Sequence, residues 1–458
     1  MTPPRSPRLV ALMRLLALLL MGLLLLSGCR PAAATDAVIH LTLWHGVNPP
    51  ANRDVLQRLV DRFNEAHPHI QVEALYVGQG DQQIPKILAA VVGDAAPDLL
   101  WYAPMITGQL VELGALRSLD DWLSTAPVAA EIDPALRESM QWEGKTWSIP
   151  FGTNNVGVFY RPSLFAAAGI RQLPQTWDEF RQVAKALTIP EKNQHGLLLP
   201  LGKGEWTVFM WLPFFWGGGG EIVTESGAVQ VASSGAIAAL QFWQDLVNDG
   251  SAILSQPERG YELDAFLAGK VAMQLSGPWT LGQLRQTGIE FGVMPIPAGL
   301  RPATSTGGEN LFFFRSSPQR EQAAQVFGEY VLSEAFQTEW AIATGYLPVN
   351  LRSRQSHDYQ TFVAQQPAVQ VFLDQAKYGR SRPIVPRYNR ISDALGRAIE
   401  SVLLNQNTPA AAIDAAQRRL DRLLGRSATK PRNALFSIVA KWQPKPRQLH
   451  NARIPKAY

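Results

Sequence analysis

Alternating strand-like and helix-like stretches near the start of the chain constrain its fold more than any other feature. The apolar runs at 38–44, 70–77 and 98–102 are rich in β-branched and aromatic residues, which favour strands. Between them, residues 54–66 and 84–92 carry apolar side chains at helical spacing. Because parallel strands need crossover connections, this β-α-β-α-β order predicts a parallel sheet covered by helices.

The ends of these predicted strands are candidate ligand contacts. Ligands of open α/β sheets bind beyond the carboxyl ends of the strands. Here those ends are residues 44–45, 78–82 and 101–102. Trp44 is the strand-end residue that we place in the candidate site.

A second constraining stretch is WSIPFGTNNVGVFYR at residues 147–161. Two β-like runs flank its polar insert Gly-Thr-Asn-Asn, in which Asn154 and Asn155 carry uncharged amides suited to binding hydroxyl groups. The local pattern alone favours a tight turn between two core strands. Since strands and helices alternate on both sides, we expect a strand that leaves one lobe and enters another, with the asparagines on a cleft floor.

The length of the chain also indicates two lobes. The chain has 458 residues, whereas one hydrophobic core rarely grows beyond about 250–300 residues. The expected fold is therefore α/β with two lobes. We assign residues 38–149 and 299–346 to the N-terminal lobe, and residues 150–298 and 347–426 to the C-terminal lobe.

The first residues resemble a lipoprotein leader. Three arginines precede the apolar run at 15–26, which is too short to span a bilayer, so residues 1–28 are predicted to be a secretory signal. Cys29 follows Ser-Gly and resembles the lipidated cysteine of the bacterial lipobox. It is the single cysteine of the chain, so no thiol remains for a disulfide or a nucleophile. Residues 29–37 would form a tether.

The excess of basic over acidic residues in the chain comes from its two ends. The overall pI is about 9.1, yet the tail at 427–458 holds seven Lys or Arg and no acid. Without leader and tail, the body carries a formal charge of about −6 and no basic stripe, which argues against nucleic-acid binding. The tail is either a solvated segment, which we favour, or a contact to an anionic membrane.

The sequence offers no pattern that is typical of catalysis. Its seven histidines fit no metal-ligand spacing, and it contains neither a phosphate-binding glycine loop nor a nucleophile motif. We therefore predict no enzymatic activity, no cofactor and no metal site.

The thirteen tryptophans are the most suggestive side chains for binding. Trp44, Trp101, Trp206 and Trp279 stand beside glycine and polar residues, and aromatic faces can stack on sugar rings. A single tryptophan is more often a core residue. Four of them at predicted strand ends or helix starts favour a ligand cleft.

Longer segments resemble a known family. The segments FGTNNVGVFYRPSLFAAAGI, YELDAFLAGKVAMQLSGPWTLGQL, GGENLFFF and TEWAIATGYLPVN resemble family 1 extracellular solute-binding proteins, the sugar and glycerol-phosphate receptors of bacterial ABC importers. The likeness covers about residues 38–424. It implies two lobes joined by several crossings, a ligand trapped between them and membrane permease subunits as partners. It also implies a monomer outside the cytoplasm.

The resemblance also implies ligand-contacting residues: Asp81, Asn154, Trp206, Ser276, Trp279, Gly308, Glu309 and Tyr346. In glycerol-phosphate binders an arginine near the last crossing contacts the ligand. Arg387 and Arg390 both lie close to that crossing, and Arg387 is our candidate. Some of these binders have a glutamate where this chain has Pro104, so the resemblance favours an uncharged glycoside.

The resulting hypothesis is a lipid-anchored receptor that delivers a disaccharide or an osmolyte such as glucosylglycerol, trehalose or sucrose to a permease. A binder of glycerol 3-phosphate or a glycerophosphodiester is the first alternative. A secreted glycosidase that uses Asp81 and Glu309 is a second, and a sensory or structural lipoprotein with the same fold is a third.

Overall fold

The computed structural model of the chain describes residues 38–256, 263–385 and 387–424. The predicted signal at 1–28, the lipidated Cys29, the tether at 29–37 and the basic tail at 427–458 lie outside the described residues. Within the described ranges, no helix combines the length and the apolar character that a membrane span requires.

The strands of the described residues are, in chain order, β1 Ile39–His45, β2 Ile70–Tyr76, β3 Leu99–Tyr102, β4 Gln141–Trp142, β5 Lys145–Thr146, β6 Ser148–Asn155, β7 Gly157–Tyr160, β8 His195–Leu199, β9 Ala252–Leu254, β10 Val271–Ser276, β11 Gly292–Met294, β12 Thr304–Phe313 and β13 Gly379–Ser381.

The α-helices are Pro50–Ala66, Gln83–Val92, Thr107–Glu112, Asp120–Leu123, Arg137–Met140, Pro162–Ala167, Trp177–Ala186, Glu205–Gly217, Ser234–Asn248, Asp264–Leu267, Leu281–Thr287, Pro318–Leu332, Glu334–Thr344, Leu351–Gln355, His357–Gln365, Pro367–Gln375, Tyr388–Leu403 and Pro409–Leu424. A capping box formed by Thr176 and Glu179 begins the helix Trp177–Ala186.

The first sheet has the strand order β13-β12-β3-β1-β2, and β6 pairs with β12. Strand β1 is parallel to both β2 and β3, which confirms the parallel arrangement expected from the alternation. Strand β12 joins this sheet antiparallel to β3 and β6. The carboxyl ends of β1, β2 and β3 therefore meet at one edge of the sheet.

The second sheet has the order β11-β7-β10-β8-β9 and uses residues from 157 to 294. Strand β10 is parallel to β8 and antiparallel to β7. The buried aromatic helix Glu205–Gly217 packs against the helices Ser234–Asn248 and Tyr388–Leu403 on this side of the molecule. All its residues from Thr207 to Gly217 are buried, so it is a core element.

The stretch 147–161 connects the two sheets. Strand β6 ends at Asn155 in the first sheet and β7 begins at Gly157 in the second, so Val156 alone separates them. The tight turn that the local pattern favoured does not form, because Gly-Thr-Asn-Asn continues β6 along its pairing with β12, as expected for a strand that passes between the lobes. Strand β6 also continues past the lobe boundary that we predicted at residue 149.

Buried amides fix this crossing. Asn155 Nδ2 donates to the carbonyl of Phe372 at 2.8 Å, and Gln375 Nε2 donates to the carbonyl of Val156 at 2.9 Å. Gln375 also donates to the Asn155 side-chain oxygen. The two asparagines of the insert therefore have different roles. Asn155 stabilises the crossing through these hydrogen bonds, whereas Asn154 lines the neighbouring cavity.

Candidate ligand-binding site

A cavity of about 400 Å³ lies between the two sheets. Its volume falls in the usual range for a small-molecule site. One wall follows the strands of the first sheet, the opposite wall comes from the second lobe, and the floor is formed by the crossing strands. The residues that line the cavity include Gln83, Trp101, Tyr102, Asn154, Glu205, Trp206, Phe209, Trp279, Gly308, Glu309, Tyr346 and Arg382.

The first wall is built from the turns that follow β1, β2 and β3, as we expected from the parallel order of these strands. Trp101 and Tyr102 end β3, and the Tyr102 hydroxyl donates to the carbonyl of Gly80 at 3.2 Å. Gln83 Nε2 donates to the carbonyl of Gly78 at 2.6 Å, which fixes its amide orientation. Its buried Oε1 has no hydrogen-bond partner among the described residues.

The opposite wall is aromatic. Trp206 and Phe209 come from the helix Glu205–Gly217, and Trp279 follows β10. The rings of Trp206 and Trp279 meet edge to face, with 5.8 Å between their centroids. A Cβ atom at Gly277 would lie 2.0 Å from the Trp279 ring, so this position needs glycine for the indole to face the cavity.

A hydrogen bond joins the two walls. Asn52 Nδ2, on the helix after β1, donates to the carbonyl of Trp279 at 3.1 Å. Asn52 is 1% exposed and Trp279 is 6% exposed. The two lobes are therefore in direct contact beside the cavity.

The floor comes from the paired strands β6 and β12, in which Gly307 lies opposite Asn154 and Gly308 opposite Thr153. Asn154 is buried, and its Oδ1 has no partner among the described residues. The pairing register shifts between Glu309 and Asn310. Such bulges re-aim side chains next to functional sites, and here Glu309 lines the cavity.

An ion pair closes one end of the cavity. Arg382 Nη1 lies 2.7 Å from Glu205 Oε1, with 8% and 17% of the two side chains exposed. Tyr388 and Ser392 also donate to this carboxylate, and the Arg382 guanidinium lies 4.4 Å from the centre of the Phe209 ring. The charge of Arg382 is therefore already compensated before any ligand enters.

The second carboxylate of the cavity is in a different environment. Burial raises the pKa of Glu309 to about 7, although Arg382 and a hydrogen bond from the Tyr346 hydroxyl act in the opposite direction. Glu309 Oε2 is buried and has no partner among the described residues. Burial and the neighbouring Glu309 raise the pKa of Tyr346 well above its usual value, so this hydroxyl stays protonated.

The structure brings together most of the residues that were expected to contact a ligand. Six of them line the cavity, namely Asn154, Trp206, Trp279, Gly308, Glu309 and Tyr346. The backbone of Asp81 belongs to the turn Gly80–Gln82 at the first wall, while its side chain lies outside the described part. Ser276 is buried behind the wall, where its hydroxyl lies 3.5 Å from Thr280 Oγ1.

Two expected residues lie elsewhere. Trp44 is absent from the cavity lining and packs against the small cluster that contains Ile87 and Leu100. Arg387 lines a smaller neighbouring recess that shares Glu205 with the main cavity. The arginine that reaches the main cavity is Arg382, which the sequence did not single out from the arginines around it at 380, 387 and 390.

Sequence reasoning also missed Glu205, Phe209 and Gln83. Glu205 and Phe209 stand in an aromatic stretch whose pattern indicates a buried helix, and nothing in it marks which residues face a cavity. The signal that could have found Gln83 is its polar amide close after the end of β2, in the same connection as Gln79, which also lines the cavity.

Comparisons with known proteins agree with this geometry. A family model described as "Bacterial extracellular solute-binding protein" matches residues 58–369. The chain is 21% identical to a maltotriose-binding protein of Pyrococcus abyssi over 369 residues, which are 79% of this chain and 77% of that protein. It is 22% identical to an sn-glycerol-3-phosphate-binding periplasmic protein of Yersinia pseudotuberculosis, over 86% and 94% of the two chains.

A solved structure with the same fold is the GacH receptor of Streptomyces glaucescens, determined unliganded and in complex with acarbose. The TM-score is 0.75 at 25% identity, covering 84% of this chain and 98% of the receptor. This likeness confirms the expected two-lobed α/β fold with a ligand cleft between the lobes.

Proposed function

The chain belongs to the bacterial extracellular solute-binding protein family, and on that premise we propose that it is the lipid-anchored receptor of an ABC importer for a sugar or glycoside. The anchor would be Cys29, outside the cytoplasm. The open lobes bind the solute, closure excludes water, and the membrane permease recognises the closed form. A disaccharide or an osmolyte such as glucosylglycerol, trehalose or sucrose is the expected cargo.

The observation that carries this proposal is the opposition of aromatic faces and polar groups across the cavity. Trp101 lies on one wall and Trp206 and Trp279 on the other, while Asn154 and Glu309 face them from the floor. A pyranose ring needs both surfaces, because its C–H faces pack on aromatic rings and its hydroxyl groups form hydrogen bonds at its edge.

The charges support a glycoside over a phosphate ester. Arg382 is the single cationic residue among the described lining residues, and Glu205 pairs with it at 2.7 Å. Glu309 adds a second acidic group. A phosphate dianion would meet two carboxyl groups and one guanidinium that is already paired. These contacts would not offset the free energy that the dianion loses on leaving water.

The arrangement supports binding over glycoside hydrolysis. The described lining residues include two carboxylates, and Glu205 is engaged by Arg382, Tyr388 and Ser392. Such a fixed, ion-paired carboxylate is poorly suited to act as a general acid or a nucleophile. Hydrolysis of a disaccharide by the purified protein, lost in Asp81→Asn, would reverse this assignment.

We expect Trp279 to contribute directly to sugar binding. Replacing Trp279 with alanine should weaken sugar binding by about 1–3 kcal/mol, since a stacked aromatic surface is lost. In the unchanged protein, tryptophan fluorescence should shift saturably as sugar is added. Isothermal titration of both proteins with the same sugar measures the difference.

A matched control is Trp243→Phe. Trp243 is fully buried beneath the helix Glu205–Gly217 and does not line the cavity. The Trp243→Phe substitution should therefore leave the affinity for the sugar unchanged. Equal affinity of Trp279→Ala and the unchanged protein would remove Trp279 from the ligand site.

A further inference from the structure

Three acceptor atoms of the described cavity lining have no hydrogen-bond partner. Gln83 Oε1, Asn154 Oδ1 and Glu309 Oε2 are buried without a partner in the described part of the chain. Because buried polar groups are normally satisfied, we expect a ligand that fills the cavity to bring donors to these atoms.

The charge of the cavity points the same way. Arg382 and Glu205 form an ion pair at 2.7 Å, and among the described lining residues Glu309 is the acidic group that has no ion-pair partner. The Tyr346 hydroxyl donates to this carboxylate, and the other oxygen has no partner among the described residues. An ionised carboxylate at such a depth is stable when a cation pairs with it.

The aromatic side chains are also suited to a cation. Trp101, Trp206, Trp279 and Tyr346 line the same cavity as Glu309. The faces of these rings carry partial negative charge, and tryptophan faces attract ammonium groups most strongly.

We propose that the ligand carries a protonated amine which pairs with the Glu309 carboxylate, so that the site selects an amino sugar or amino glycoside over its neutral parent. This inference rests on the proposed function and narrows its substrate class. An ammonium group has three donors and a positive charge, whereas a hydroxyl has one donor and no charge. The phosphate dianion of an ester would bring acceptors and a negative charge to the same carboxylate.

The test is isothermal titration with matched pairs of sugars. The probes are glucosamine and the derivatives of trehalose and maltose in which a primary hydroxyl is replaced by an amine, each compared with its neutral parent. At least one amine should bind about tenfold or more tightly than its parent, as expected for a charge-assisted hydrogen bond. Glu309→Gln should abolish this preference, because the uncharged amide cannot form an ion pair with the amine.

The pH dependence gives an independent readout. Among the described residues, the charged and titratable groups that act on Glu309 are Arg382 and the Tyr346 hydroxyl, and Glu205 pairs with Arg382. Because the pKa of Glu309 is raised to about 7, affinity for a primary amine should increase from about pH 5.5 to about pH 7.5 as the carboxylate ionises. Affinity for the neutral parent should not change in this way, and Glu309→Gln should remove the dependence.

Two controls separate recognition from folding. Glu339→Gln changes a carboxylate outside the cavity that pairs with Arg62, and it should keep the preference for the amine. Ionised Glu309 is destabilising in the fold because its pKa is raised. Relative to the unchanged protein, Glu309→Gln should therefore raise the midpoint of thermal unfolding more at about pH 8 than at about pH 5.

Each outcome decides the proposal. Equal or tighter binding of every neutral parent would overturn it and leave the proposed sugar receptor standing. Equal weakening of both members of a pair in Glu309→Gln would also overturn it, since the carboxylate would then serve a hydroxyl group. If none of these sugars binds, both this inference and the proposed function fail.

Discussion

Replacing Arg382 with methionine should lower the free energy of unfolding by about 3–5 kcal/mol, the usual consequence of removing one partner from a buried ion pair. The loss is large because the Glu205 carboxylate would keep its hydrogen bonds from Tyr388 and Ser392 but lose the guanidinium group that lies 2.7 Å away. Methionine retains much of the apolar stem that packs on Phe209. Urea unfolding followed by tryptophan fluorescence measures the change.

Two further variants test this cause. Adding Glu205→Gln to Arg382→Met should recover part of the lost stability, because no uncompensated buried charge then remains. The matched control is Arg352→Met, whose side chain is 65% exposed and lies 3.1 Å from Glu131. An exposed pair contributes about 0–1 kcal/mol, so equal losses in Arg352→Met and Arg382→Met would contradict the buried-pair explanation.

Replacing Gly308 with alanine should destabilise the protein by roughly 2–6 kcal/mol, combining backbone strain with overpacking. Gly308 has a φ of +125°, and a Cβ atom there would lie 2.2 Å from the carbonyl oxygen of Gly152. Both obstacles are backbone features, so no side-chain rotation can relieve them. Glu309 lies on β12 and Asn154 on β6. Because the added Cβ atom would push these two strands apart, it should also weaken ligand binding.

The control for Gly308 is Gly144→Ala. Gly144 also has a positive φ, +77°, but its added Cβ would have no neighbour within 4 Å. The expected loss is about 1–2 kcal/mol from the left-handed conformation alone. Urea unfolding of the two variants should therefore give clearly different midpoints, and similar midpoints would show that the contact with Gly152 is tolerated.

The fold could be predicted because its signals are local. Periodicity placed β1, β2 and β3 and the helices between them, and the parallel order followed from the need for crossovers. The helix at 234–248 begins and ends where its amphipathic pattern does. The local pattern at 152–155 alone favoured a turn, because residue preferences do not record the pairing with β12 that holds these residues in β6.

The site could be predicted only in part. Asn154, Trp279 and Glu309 belong to motifs that resemble a known family, so their places were expected. Arg382 could not be found, because the choice among Arg380, Arg382 and Arg387 depends on how the chain returns after β13. In the structure Arg380 pairs with Glu221, while Arg382 pairs with Glu205 in the cavity. Such pairings join residues far apart in sequence, which local patterns do not record.

The most direct test of the sugar-receptor proposal is isothermal titration of a protein that begins after Cys29 with trehalose, sucrose, maltose, glucosylglycerol, their amino derivatives and glycerol 3-phosphate. We expect saturable binding of at least one glycoside by one protein molecule, reduced in Trp279→Ala and insensitive to salt for the neutral members. Glycerol 3-phosphate should bind poorly, because Arg382 is already paired with Glu205. Tight, salt-sensitive binding of glycerol 3-phosphate, with weaker binding of every glycoside, would contradict the account.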